Sequence, residues 1–237
     1  MIIDFNADIA EGCPHDAELM QYVQSVNIAC ATHAGSPAIM VQALREAKAR
    51  NLRVGAHPGY FDRENFGRQE VKVTPEELYH IVIYQLAAMK SLADEVGIAV
   101  SYVKPHGAKY HQVGRDRLLA KSMVDAARKF GLAIMGQPGT VIEAECKTHG
   151  VRYLKEGFAD RRYQSDGTLV PRTQPDAMLH DPHEAARQVH WLVETVGVDS
   201  ICVHGDEPKA VAFVRELRGL LDGSHHAPRD GLPGRIK

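Results

Sequence analysis

Short β-branched or apolar runs alternate along this chain with longer stretches of helical period, and that alternation restricts the fold to an α/β architecture with parallel strands. Seven runs read as strands, at residues 2–8, 25–29, 53–56, 100–104, 133–136, 152–156 and 200–204. Between them lie helices with legible starts. In Thr74-Pro75-Glu76-Glu77 a capping threonine, a proline at the first helical position and a glutamate three residues after the cap form a capping box. From there Leu78, Ile81, Val82, Gln85, Leu86, Met89, Leu92 and Val96 recur at three and four, which predicts one mostly apolar face. Asp181-Pro182-His183-Glu184 repeats the start for a helix burying Ala185, Val189, Leu192, Val193 and Val196. Glu207-Pro208 opens a last helix with Val211, Val214 and Leu217 inward.

A chain of 237 residues, 44% of them hydrophobic, can bury one sizeable core. With no composition break, residues 1–222 are expected to form a single α/β domain. The glycine- and proline-bearing stretch 223–237, with its His225-His226 pair, reads as a flexible tail. Lys plus Arg (28) nearly balances Asp plus Glu (30), so no long-range field would collect nucleic acid or anionic lipid. No secretory signal and no membrane-length apolar run is present, so a soluble, cytoplasmic protein is expected. The four cysteines form no C-x-x-C pair and read as reduced thiols.

The chemistry collects where the strands end. In a barrel or open sheet, the side chains that meet the substrate come from the carboxyl ends of strands and the loops after them. Strand one ends in Asp4-Phe5-Asn6-Ala7-Asp8, whose alternation puts Asp4, Asn6 and Asp8 on one side, and Glu11 follows. The later strands run into His33-Ala34-Gly35, His57-Pro58-Gly59-Tyr60, Lys104-Pro105-His106-Gly107, Glu156-Gly157-Phe158-Ala159-Asp160-Arg161 and His204-Gly205-Asp206. Any one of these has a bland reading as a hydrogen-bonded loop residue, ion pair or cap. Together they predict one polar pocket, because unpaired buried charge costs several kcal/mol and independent causes would not all choose the same strand ends.

Carboxylates and imidazoles within hydrogen-bond reach provide acids and bases, and cations hold anions or oxyanions. Hydrolysis or acyl transfer on a small anionic molecule fits that inventory. No G-x-G-x-x-G follows the first strand, and no G-x-x-x-x-G-K-[ST] holds nucleotide phosphates. Asp4, Asp8, His33, His57, His106 and His204 are ligand types that suit a divalent metal, while no His-x-His or His-Glu-x-x-His spacing demands one. No metal ligand set is assigned from the sequence.

At these residues the chain resembles the LamB/YcsF family, the A subunits of prokaryotic 5-oxoprolinase. The resemblance runs nearly end to end, through Asp4-Phe5-Asn6-Ala7-Asp8, Asn27-Ile28-Ala29-Cys30, His33-Ala34-Gly35, Gly55-Ala56-His57-Pro58-Gly59-Tyr60, Phe66-Gly67-Arg68, Lys104-Pro105-His106-Gly107-Ala108, Phe158-Ala159-Asp160-Arg161 and Cys202-Val203-His204-Gly205-Asp206. It implies that residues 1–222 form a single catalytic domain, a seven-stranded parallel β/α barrel similar to the glycoside hydrolase/deacetylase superfamily. It implies a part in the ATP-dependent cleavage of 5-oxo-L-proline to L-glutamate, with ATP held by partner subunits B and C. The chain departs from the family pattern at Ala7, Ala10, Ala31, Thr32, Ser36, Lys109 and His111; Ala10 and Ala31 stand where glycine is usual, and Lys109 where leucine is common.

On that reading Asp8 or Asp206 is the expected general base, Asn6 orients the water, and His106 and His204 exchange protons with the leaving groups. Lys104 and Arg161 are expected to bind the substrate carboxylate or phosphate, with Asp4, Glu11, His33, His57 and Asp160 completing the pocket. Two other readings stand beside it. One is a metal-dependent deacetylase or amidohydrolase working without partners; the other is a small-molecule binding subunit without turnover. The loops at 60–68 and 163–173 have the composition of lids and equally of exposed connectors.

Overall fold

The structure, a computed structural model, describes residues 3–205 and 209–223. Seven strands, β1 (Phe5–Ile9), β2 (Ser25–Ala29), β3 (Arg53–His57), β4 (Val100–Val103), β5 (Ala133–Gly136), β6 (Tyr153–Phe158) and β7 (Ser200–Val203), form a closed barrel in sequence order. All neighbours are parallel, and β1 closes on β7 through Asn6 opposite Cys202. The expected strands are all present. Strand β6 runs two residues further than expected, to Phe158, because its pairing with β7 continues to Phe158 opposite Cys202.

Helices cover the outside: α1 (Asp16–Leu19), α2 (Pro37–Ala49), α3 (Pro75–Val96), α4 (Gly107–Arg115), α5 (Arg117–Lys129), α6 (Val141–His149), α7 (Pro182–Trp191) and α8 (Ala210–Gly223). Helix α3 starts on the anticipated capping box: the Glu77 amide donates to Thr74 Oγ1 and the Thr74 amide to Glu77 Oε2. Asp181 caps α7 through the His183 amide, but Glu184 does not complete a box, since its carboxylate pairs with Arg162. Helix α7 passes into a π-wound turn over Leu192–Val196. That extra residue per turn rotates the face, so Leu192 is buried while Val193 and Val196 are only half covered. Helix α8 buries Val214 and Leu217 as expected, with Val211 at the margin, and continues to Gly223. Glu207 and Pro208 and the rest of the expected tail, 224–237, lie outside the described residues.

The main core fills the space between barrel and helices. Inside the barrel the packing is mixed: Tyr102, Met135 and Leu154 form a small apolar cluster on one side. Strand β3 makes room for it, because a Cβ on Gly55 would sit 2.2 Å from the Tyr102 ring. None of the four cysteines forms a disulfide. No helix among the described residues is long and apolar enough to cross a membrane.

Candidate functional site

Strand alternation turns Asp4, Asn6 and Asp8 toward the barrel axis, and a rise of about 3.3 Å per residue puts them at three different depths. Asp4 lies at the bottom. It accepts hydrogen bonds from Ser25 and Ser200 and pairs with Arg53, all three being first residues of their strands. Burial raises its pKa in spite of Arg53. The expectation that Asp4 lines the pocket is therefore corrected: it closes the opposite end of the barrel. Asn6 sits in the middle, fully buried, donating to Ser200 Oγ at 2.9 Å and accepting from Asn27 at 2.7 Å. With its amide so engaged it cannot orient a water at the rim, and that expectation is corrected too.

Asp8 reaches the carboxyl end, where most of the other expected groups gather. Its Oδ1 accepts from Lys104 Nζ at 2.9 Å and from Asn27 Nδ2 at 2.8 Å, and its Oδ2 lies 3.5 Å from His57 Nε2. Burial works against the charge on Asp8, but His57 and Lys104 overcome it and hold the carboxyl well below the usual range. Lys104 also contacts Glu156 Oε1 at 2.8 Å and Cys202 Sγ at 3.2 Å. Burial disfavours its charge, yet Asp8, Cys202 and Glu156 raise its pKa well above the ordinary lysine value. Lys104 is thus a cation shared by two carboxylates, not one waiting for a substrate anion.

Glu156, counted in the sequence among the strand-end groups but given no role there, faces inward from β6, and its Oε2 accepts from Tyr110 OH at 2.9 Å. The signal for a role was there: an acid between Leu154 and Phe158, in phase with both, on the otherwise apolar face of its strand.

On one side of Asp8 is an imidazole cluster. Glu11 Oε1 lies 2.9 Å from His33 Nε2, 2.9 Å from His106 Nδ1 and 3.4 Å from His57 Nε2. The His33 and His106 rings stack at 3.7 Å, and a Cβ on Gly59 would come within 2.2 Å of His33 Nδ1. Burial lowers the His33 pKa to about 4 and also lowers that of His106; for His57 burial acts the same way, but Asp8 and Glu11 raise it overall. The expected proton-exchange role of His106 is not what its surroundings favour, since both ring nitrogens are occupied, Nε2 by the Phe66 carbonyl at 2.7 Å. The 60–68 loop is fastened over this cluster: Phe66 packs edge-on against both rings, and Arg63 donates to the carbonyls of Ala31 and Gly35. Glu11, His33, His57 and His106 could together hold a metal ion.

On the other side, His204 Nδ1 lies 2.9 Å from Asp160 Oδ1, while the His204 amide donates to Asp160 Oδ2 at 2.7 Å. The carboxylate accepts from Nδ1–H and leaves Nε2 for proton transfer. Burial opposes ionisation of Asp160, but His204 lowers its pKa overall. Arg161 ties down the 163–173 loop through one Nη hydrogen bond to the Val170 carbonyl, while its buried Nε has no hydrogen-bond partner among the described residues. Asp206 lies outside the described residues. A cleft of about 210 Å³ adjoins this rim, lined in part by Tyr110, His111, Gln137 and Tyr153.

Two departures from the family pattern have physical consequences. Ala31 adopts φ +58° and Ala10 φ +66°, the left-handed region that disfavours any Cβ, so the usual glycine would relieve strain at both. Ala31→Gly is expected to raise stability by about 0.5–1 kcal/mol, the relieved strain of ~1–2 kcal/mol less the greater unfolded-state entropy of glycine. A fall in the urea midpoint would contradict this.

Lys109 is the second case. Fully buried, it donates to the Gly59 carbonyl at 2.9 Å and lies 4.9 Å from the centre of the Tyr60 ring. Burial pushes its pKa down to about 7. The unfolded chain binds this proton up to about pH 10.4, so the associated stability is present above that pH and lost as pH falls through 7. Lys109→Met should therefore gain stability over the parent most at about pH 6 and least near pH 10, and Gly59 keeps its bond from Gln85 Nε2 at 2.9 Å. Denaturant titrations of both proteins at the two pH values check the sign.

The comparisons with known proteins agree with this architecture. The family model described as LamB/YcsF family matches residues 3–230. A protein of Neisseria meningitidis serogroup C, named as the A subunit of 5-oxoprolinase, is 44% identical over 233 residues, covering 92% of this chain and 95% of the relative. The crystal structure of a lactam utilization protein from Thermus thermophilus superposes with TM-score 0.87 at 37% identity, over 94% of this chain and 97% of that one. The catalytic domain of a peptidoglycan N-acetylglucosamine deacetylase from Eubacterium rectale, 11% identical with TM-score 0.52 over 95% of this chain and 86% of that one, shares the fold.

Proposed function

For a chain that belongs to the LamB/YcsF family, we propose a role as the A subunit of an ATP-dependent 5-oxoprolinase, supplying the pocket in which the activated ring of 5-oxo-L-proline is opened to L-glutamate. The observation that carries the reading is the His204–Asp160 pair beside the charged Asp8–Lys104–Glu156 group, at one rim of a barrel whose relatives bear that name.

The acid-base work falls to His204. Asp8 is held too strongly in its charged form to be an effective base, because a base should have a pKa near the working pH. His204, oriented by Asp160, takes a proton from water as the water oxygen bonds to the ring carbonyl carbon. It returns the proton to the ring nitrogen as the C–N bond breaks, which leaves γ-glutamyl phosphate; a second water then displaces inorganic phosphate and gives L-glutamate. Asp8, Lys104 and Glu156 form a fixed charge array that holds the polar face of the substrate. Arg161 remains as the cation for the substrate carboxylate.

ATP is used by partner subunits B and C, which phosphorylate the lactam oxygen. The chain itself has no phosphate-binding glycine loop. Reconstitution of this chain with subunits B and C, 5-oxoproline and ATP tests the reading. Glutamate should form only when all are present. Glutamate formed by B and C alone, or none formed by the full mixture, would refute it.

A further inference from the structure

We infer that Glu11, His33, His57 and His106 form a binding site for one divalent transition-metal ion, the donor set being three imidazoles and a carboxylate. Hydrogen-bond partners fix which ring nitrogens carry protons. His57 Nδ1 lies 2.8 Å from the backbone carbonyl of Lys104, and only an N–H can satisfy a carbonyl oxygen. In the neutral ring this leaves a lone pair on Nε2. His106 is fixed in the opposite sense: Nε2–H donates to the Phe66 carbonyl, and the lone pair is on Nδ1.

These two lone pairs face each other at 3.0 Å, and both face Glu11 Oε1, which is itself an acceptor. Three acceptors converging on one point need a cation between them. A proton shared by the two rings bridges one pair of acceptors and leaves the carboxylate contact of the other ring without a hydrogen. A metal ion accepts all of them at once.

His33 adds a fourth donor atom to the same point, and its ring is held against His106 by stacking. The carbonyls of Lys104 and Phe66 are the outer partners that fix the tautomers of metal-binding histidines. The donors come from the loop after β1, the loop after β2, the end of β3 and the start of α4, so closure of the barrel and not local sequence spacing assembles them. Three nitrogens and one oxygen suit zinc, with cobalt and manganese as related occupants. When bound, such an ion polarises a carbonyl or lowers the pKa of a coordinated water, beside the Asp8 carboxylate.

The metal site shares a rim with the proposed reaction, but its test reads metal, not glutamate, so either claim can fail while the other stands. The protein is prepared without an affinity tag and with His225 and His226 replaced by alanine, so that this second histidine pair does not contribute. Metal is removed with a chelator, and Zn²⁺, Co²⁺ or Mn²⁺ is added back. About one equivalent retained after dialysis, a rise in melting temperature with added metal, and a Co²⁺ visible spectrum of nitrogen-oxygen ligation are expected. Glu11→Gln and His57→Asn should each lower affinity at least about tenfold. Should one variant fail to fold, the other carries the comparison. Failure to retain any of the three metals, with unchanged melting temperature, would overturn the inference, as would full retention by both folded variants.

Discussion

Lys104→Met is expected to lower stability by about 3–5 kcal/mol, the range for removing one partner of a buried ion pair. The lysine stands between Asp8 and Glu156, with its ammonium 2.9 and 2.8 Å from their oxygens, and it is almost wholly shielded from water. Taking it away leaves two carboxylates in a cavity where no other ammonium contacts them among the described residues. The loss should appear as a melting temperature lower by roughly 6–20 °C, at about 2–4 °C per kcal/mol for a chain of this size. Glu156→Gln added to Lys104→Met should return part of the loss, because one of the stranded charges is then gone, and a coupling energy of about 1–3 kcal/mol is expected from the double-mutant cycle. The pH dependence follows from Asp8, whose pKa is lowered in the fold: its contribution is present above the unfolded value of about 3.9 and is lost as pH falls through the folded value. The deficit of the variant should accordingly be full at neutral pH and shrink in acid. A variant as stable as the parent at neutral pH would show that Asp8 and Glu156 do not depend on this cation.

The second large effect is kinetic. In the reconstituted system His204→Ala is expected to lower glutamate formation by about 10²–10⁴, the range for a positioned acid-base group. Asp160→Asn should lose at least about 10², because an amide can donate to Nδ1 and so favour the wrong tautomer. The two act as a unit, so the double variant should be little worse than His204→Ala alone. Folding of each variant is checked by circular dichroism. Turnover within about fivefold of the parent in His204→Ala would remove this residue from the proton transfer, whereas a full additive loss in the double variant would mean that Asp160 acts independently of it.

Much of the frame was legible beforehand because it depends on period and local chemistry. Alternating apolar runs located all seven strands, and Thr74-Pro75-Glu76-Glu77 located the start of α3 to the residue. Strand ends also pointed to Asp8, His57, Lys104 and His204, since parallel strands joined by helices bring their carboxyl ends to one rim. Less legible was the role of each group. Asp4 and Asp8 are indistinguishable in a period-two reading, yet one is tied to Arg53 at the bottom and the other to Lys104 at the top. Lys104 looked like an anion binder until Glu156 was found beside it. The imidazole cluster carried no metal-binding spacing, because Glu11, His33, His57 and His106 are supplied by four different elements.

The sequence by itself determined the architecture and the side of each strand that faces the axis, for helix caps and the two backbone periods are properties of neighbouring residues. Only the tertiary structure decided which carboxylate keeps which cation, and which imidazole nitrogens are left bare. The charge and tautomer of a buried group are set by atoms a few ångströms away in space, and in a closed barrel those atoms belong to residues as far apart along the chain as Asn6 and Ser200.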